Sequence, residues 1–175
     1  MTNRFQKCNT VYKLIFVLIF LITIILPPLY WATVQTPTDL FTEFGIYQEQ
    51  LFQINHPPSI YTRILALCVS LIPTLSLLYI LRLFIRLFGC YQNLEIFSEK
   101  VTTTYKKIGW AFVYWVIAQI IYGPLISLVL SYNNPVGERF ITAEINGMDF
   151  VILILAGFMM MLATVMKKAD NAINK

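Results

Sequence analysis

The sequence predicts an all-α integral membrane protein, a bundle of four transmembrane helices whose two termini both lie on the cytoplasmic side. Of its 175 residues, 58% are hydrophobic and only 13% are charged, whereas a soluble domain carries about 25% charged residues. The apolar residues are collected in four long runs, and the basic residues lie at the ends of those runs. Lipid is therefore the expected solvent, and we expect one membrane domain over residues 1–175.

The four apolar runs place the transmembrane helices at residues 14–34, 60–88, 108–131 and 150–166. An α-helix rises about 1.5 Å per residue, so about 20 apolar residues cross a hydrocarbon core of about 30 Å. The last run is short for a span, and we expect it to stand nearly upright or to thin the bilayer locally.

Prolines in the first two runs are expected to affect the helices there. Pro27 and Pro28 are expected to kink or end the first helix, because proline lacks the N–H and clashes with the preceding turn. Pro73 lies in the middle of the second run, where neighbouring helices must compensate for the lost hydrogen bond.

The basic residues predict the orientation. The positive-inside rule places lysine and arginine in cytoplasmic segments, and with the N-terminus inside, the outer side keeps only Arg63 and Arg139 of the 13 basic residues. The cytoplasmic set is Arg4, Lys7, Lys13, Arg82, Arg86, Lys100, Lys106, Lys107, Lys167, Lys168 and Lys175.

The segment between the first two runs, residues 35–59, carries the pattern of a short amphipathic outer-loop helix. Thr36, Pro37 and Asp39 are typical of the start of a helix. They supply a capping hydroxyl, a proline at the first helical position and a carboxylate near the positive end of the helix dipole. Apolar residues, including Phe44 and Tyr47, then recur at helical spacing. We expect this helix to lie in the outer interface, and the alternative is a docking surface for an extracytoplasmic partner.

A second amphipathic segment precedes the third run. Ser98 is expected to cap a helix that continues directly into this span, with Phe97 and Val101 on one face and Lys100 near anionic headgroups. An interfacial linker is one interpretation. A partner surface that includes Phe97 and Lys100 is the other.

Polar side chains within the spans are few and uncharged. Gln119, Tyr122 and Ser127 of the third run are expected to make interhelical polar contacts, since such groups in lipid most often bond to a neighbouring helix. A polar ligand pocket is the alternative.

The sequence offers little chemistry for catalysis or metal binding. His56 is its one histidine and lies in the outer loop beside two prolines, so a nucleophile has no histidine base in the spans. The three cysteines show no metal-binding spacing. We expect no catalytic residue, no metal, no cofactor and no enzymatic activity.

Two short motifs resemble a known family. The stretch from Glu95 to Glu99, followed by Lys107-Ile108-Gly109-Trp110, is similar to the signature of a small four-span membrane family known only as domain of unknown function twenty-nine seventy-five. The stretch from Ala163 to Ala169 resembles that family's exit from its last span. The resemblance implies a bacterial inner-membrane protein and no known chemistry.

These observations lead to three hypotheses about function. The first is a non-enzymatic, multi-pass protein of the bacterial inner membrane that acts through protein interaction, in a regulatory, accessory or immunity-type role. Its partners would be the lipid bilayer and a membrane protein or second copy of the chain, with no nucleic acid. The alternatives are a small transporter or channel subunit, and a membrane enzyme with an unrecognised site.

Overall fold

The computed structural model describes residues 2–34, 36, 58–93, 98–132, 134, 137, 139–143 and 145–173. These residues form four α-helices and no strand, which confirms the predicted fold class. The helices are α1 (Thr2–Thr33), α2 (Ile60–Gln92), α3 (Glu99–Ser131) and α4 (Gly147–Ile173). Each is long and apolar enough to cross a membrane. Beyond Thr36, the predicted outer-loop helix, including Phe44 and Tyr47, lies outside the described residues.

The helices extend beyond the predicted spans because a charged residue marks the edge of the membrane but does not end a helix. α3 begins at Glu99, directly after Ser98, where the sequence predicted the cap of a helix that continues into the third span. α4 covers 27 residues and continues past Lys167 and Lys168, so the helix is longer than its short apolar run suggested. The backbone hydrogen bonds are made within each helix, and they continue until a cap or a breaking residue stops them.

The prolines of α1 do not end the helix, contrary to one of the two outcomes expected for them. The helix continues through Pro27 and Pro28 to Thr33, and α2 likewise continues through Pro73. Proline is tolerated in membrane helices where neighbouring groups satisfy the freed carbonyls. α1 instead ends with a bond from the Val34 N–H to the Tyr30 carbonyl, at 2.8 Å.

The chain divides into two compact units. Unit 1 comprises residues 1–22, 76–117 and 146–175. Its buried core joins α2 and α3 and consists of Ile80, Leu83, Leu87, Val101, Ile108 and Ala111. Aromatic stacking adds α1 to this unit, with Tyr12 5.7 Å from Phe88 and Phe16 5.1 Å from Phe84 between ring centroids.

Unit 2 comprises residues 23–75 and 118–145. Trp31, Val34, Ala66 and Ile126 form its buried core, which therefore draws on α1, α2 and α3. Arg63 closes the end of α1, because its guanidinium donates to the carbonyls of Ala32 at 2.8 Å and Val34 at 3.1 Å. These are carbonyls that a helix leaves without an internal partner.

The extended segment before α4 packs against α3 within unit 2. The Thr142 N–H donates to the Ser127 hydroxyl at 3.0 Å, and the Ser131 hydroxyl donates to the Phe140 carbonyl at 3.1 Å. A Cβ added at Gly123 would lie 3.2 Å from the Thr142 carbonyl oxygen, so glycine permits this close approach. Serine hydroxyls thus satisfy backbone groups that no helix or strand pairs.

Candidate functional site

A polar cleft in unit 1, about 780 Å³ in volume, separates the first turns of α3 from the last turns of α4. Its α3 wall consists of Glu99, Thr102, Thr103 and Lys106. Its α4 wall carries the side chains of Met160, Ala163, Thr164, Lys167, Asp170 and Asn171. We call this the α3–α4 cleft.

The start of α3 is fixed by a capping residue and a buried face. The Ser98 hydroxyl accepts from the Val101 N–H at 3.4 Å and its carbonyl accepts from the Thr102 N–H at 3.1 Å, as the sequence predicted for a cap. Val101 and Ile108 are fully buried on one face of the helix. That burial turns Thr102 and Lys106 toward the cleft.

The spacing between α3 and α4 is set by a glycine. A Cβ built on Gly109 would lie 2.8 Å from the Met160 Cγ and 3.0 Å from the Ala156 carbonyl oxygen. Both distances are shorter than ordinary contacts, so no larger residue fits here without movement. Small residues allow this close approach of membrane helices, and the helices separate into the cleft one to two turns away, at Lys106 and Ala163.

Charges of both signs line the cleft. α3 contributes Glu99 and Lys106, and α4 contributes Asp170 and Lys167. Each helix therefore supplies one acidic and one basic side chain. The Thr102 hydroxyl oxygen is buried and makes no hydrogen bond within the described part of the chain. Thr104, by contrast, donates to the Lys100 carbonyl at 2.7 Å, as a helical threonine commonly does. A buried group without a partner costs about 1–3 kcal/mol, which a ligand or water can recover.

The side chains that line the cleft carry hydroxyl groups, one amide and charges of both signs. In the described part of the chain, no three His, Cys, Asp or Glu side chains are grouped where they could hold a metal ion. Cys68 and Cys90 are free thiols. These hydroxyl, amide and charged groups can form hydrogen bonds and ion pairs with a polar peptide segment that carries charges of both signs.

The three mid-span residues named from the sequence lie in unit 2. Tyr122 is half-buried and hydrogen bonds to Ser70 of α2. Ser127 is fully buried and donates to the Pro124 carbonyl of its own helix at 3.0 Å, while accepting from the Thr142 N–H. Gln119 is half-buried and makes no hydrogen bond to another described residue.

Of the proposed partner surface, only Lys100 falls within the described residues. It lies exposed in the first turn of α3, one turn from the cleft-lining Thr103. Phe97 lies outside those residues, as do Phe44 and Tyr47.

Sequence reasoning missed most of the cleft. The sequence analysis places Lys167 only among the cytoplasmic basic residues, and it predicts no role for Asp170 or Asn171. The signal that would have found them is helical spacing, because Lys167, Asp170 and Asn171 follow Ala163 and Thr164 at intervals of three or four residues.

Residues 49–172 match the model of the family described as a protein of unknown function (DUF2975). The matched range contains all of α2 and α3 and nearly all of α4. It confirms the resemblance drawn from the motifs around Glu95 and Gly109. No curated protein and no solved structure matches the chain.

Proposed function

This chain belongs to the DUF2975 family, whose function is unknown, and we propose that it is a membrane protein that acts without catalysis, by binding a protein partner. The role we propose is regulatory, accessory or immunity-type, toward other components of a bacterial inner membrane. Both termini would face the cytoplasm, as the distribution of lysine and arginine suggests.

The observation that carries this proposal is the chemistry of the α3–α4 cleft. Most of the described helical surface is apolar and suits contact with lipid, with Ile154 of α4 72% exposed. The cleft differs, because four charged side chains and the amide of Asn171 line it. A polar peptide segment satisfies such groups, whereas an acyl chain does not.

Site-specific photo-crosslinking in cells tests the proposal. A photoreactive amino acid at Asn171, which is exposed in the cleft, is expected to give one discrete protein adduct, identified by mass spectrometry. The same group at Ile154 faces lipid and serves as the matched control on the same helix. An adduct at twice the mass of the chain would identify the partner as a second copy.

Charge reversal separates specific binding from chance proximity. Asp170→Lys should remove the Asn171 adduct, because it places like charges beside Lys106 and Lys167. The adjacent exposed residue Lys168 does not line the cleft, so Lys168→Gln should leave the adduct in place. An adduct that is equally strong at Asn171 and Ile154, or that survives Asp170→Lys, would contradict the proposed function.

A further inference from the structure

We propose that a second groove in unit 1, between α2 and α3, binds one anionic phospholipid. This groove has a volume of about 360 Å³ and is distinct from the α3–α4 cleft, although Thr103 and Lys106 border both. Its other principal residues are Tyr79 of α2 and Lys107, Trp110 and Tyr114 of α3. We call it the α2–α3 groove.

The groove follows one face of α3 from its charged end into the apolar span. Thr103, Lys107, Trp110 and Tyr114 recur at intervals of three and four residues, so they form a single stripe along the helix. The distance from Lys107 to Tyr114 is about 10 Å along the axis. That length covers the headgroup layer of one leaflet, roughly 5–8 Å, and the first part of the acyl chains.

The charge at one end of the groove favours an anion. Lys106 and Lys107 are exposed, and their ammonium groups make no ion pair or hydrogen bond with another described residue. Arg82 and Arg86 are also exposed, and they follow Tyr79 by three and seven residues on the same side of α2. None of the described residues that line the groove is acidic. A phosphate group is the natural counter-ion for such a cluster.

The remainder of the groove favours the apolar part of a lipid. The rings of Trp110 and Tyr114 lie 6.3 Å apart at an interplanar angle of 34°, and both side chains are about half exposed. Tyr79 is 47% exposed across from them. Such rings combine an apolar face with a polar tip and concentrate at the membrane interface. The volume is large enough for a headgroup and the start of one chain, but a protein helix, about 10 Å across, does not fit in it.

Quenching of tryptophan fluorescence by brominated lipid tests this site. The full-length protein is placed in phosphatidylcholine vesicles that contain an equal mole fraction of brominated phosphatidylglycerol or brominated phosphatidylcholine. The contribution of Trp110 is the difference between the unaltered chain and its Trp110→Phe variant. We expect brominated phosphatidylglycerol to quench Trp110 several-fold more effectively than brominated phosphatidylcholine.

A pair of single-lysine variants provides the control. Lys107→Gln should reduce the preference for the anionic lipid about fivefold, the typical effect of one interfacial lysine. Lys168→Gln removes an equal charge from an exposed position on α4 that lines neither cavity, and should leave the preference unchanged. Equal quenching by both lipids, equal loss in both variants, or protection of Trp110 from both lipids would overturn the proposal. None of these outcomes bears on crosslinking at Asn171.

Discussion

The indole N–H of Trp31 donates a hydrogen bond to the hydroxyl oxygen of Ser70 over 2.8 Å, and this bond joins α1 to α2 within unit 2. Ser70 in turn donates to the Ala66 carbonyl at 2.8 Å and hydrogen bonds to Tyr122 of α3. One buried hydroxyl therefore connects three helices. Its neighbours Trp31 and Ala66 belong to the buried core of the same unit.

Removing the indole donor should weaken this connection. Trp31→Phe keeps an aromatic ring but leaves Ser70 without one of its partners, and we expect a loss of about 0.6–2 kcal/mol in the free energy of unfolding. A double-mutant cycle with Ser70→Ala, measured by unfolding in mixed detergent micelles, should give a coupling energy in the same range. Strictly additive losses would contradict a direct bond.

The contact between Gly109 and Met160 predicts that any larger residue at position 109 destabilises the protein. Gly109→Ala should cost about 1–3 kcal/mol, because the added Cβ meets both the Met160 side chain and the Ala156 backbone. Adding Met160→Ala should recover only part of that loss, since the backbone contact remains. Gly157→Ala is the matched control, because nothing lies within 4 Å of its added Cβ. Thermal unfolding in detergent measures all three, and equal melting temperatures for Gly109→Ala and Gly157→Ala would refute the packing argument.

Arg63 should be required for the end of α1. Arg63→Gln removes charge-assisted bonds to the carbonyls of Pro58, Ala32 and Val34, and we expect it to lower the free energy of unfolding by about 1–3 kcal/mol. Arg63→Lys should be intermediate, because a single ammonium cannot reach all three carbonyls. Arg86→Gln, at an exposed position of α2, controls for the lost charge. Unfolding in mixed micelles is the measurement, and a loss no larger than that of Arg86→Gln would count against the cap.

The orientation remains a prediction that reporter fusions can test. Four spans place both ends of the chain on one side of the membrane, and the basic residues place that side in the cytoplasm. A reporter active only in the cytoplasm should therefore be active when fused to either terminus. Opposite results at the two ends would exclude an even number of spans, and inactivity at both would reverse the orientation.

The fold class, the number of spans and the cap at Ser98 could be predicted from the sequence, because each depends on local properties. Each of these features is visible in a short stretch of sequence: an uncharged run long enough to cross the hydrocarbon core, a hydroxyl residue before a helix, or a short family motif. Some helix ends were less accessible, since α4 continues to Ile173, past the lysines at 167 and 168 that mark the expected membrane edge.

Which polar groups contact each other became known only from the packing of the helices. Ser70 and Trp31 are 39 residues apart, and Thr102 and Asp170 line one cleft although they belong to different helices. No local pattern encodes such pairings, because they depend on how each helix is rotated and on where a small residue such as Gly109 lets two backbones approach. The family motif Lys107-Ile108-Gly109-Trp110 shows this division clearly. The residue types of this motif identify the family. The packing of the helices shows that Ile108 lies in the core and that Gly109 contacts α4. It also shows that Lys107 and Trp110 line the α2–α3 groove.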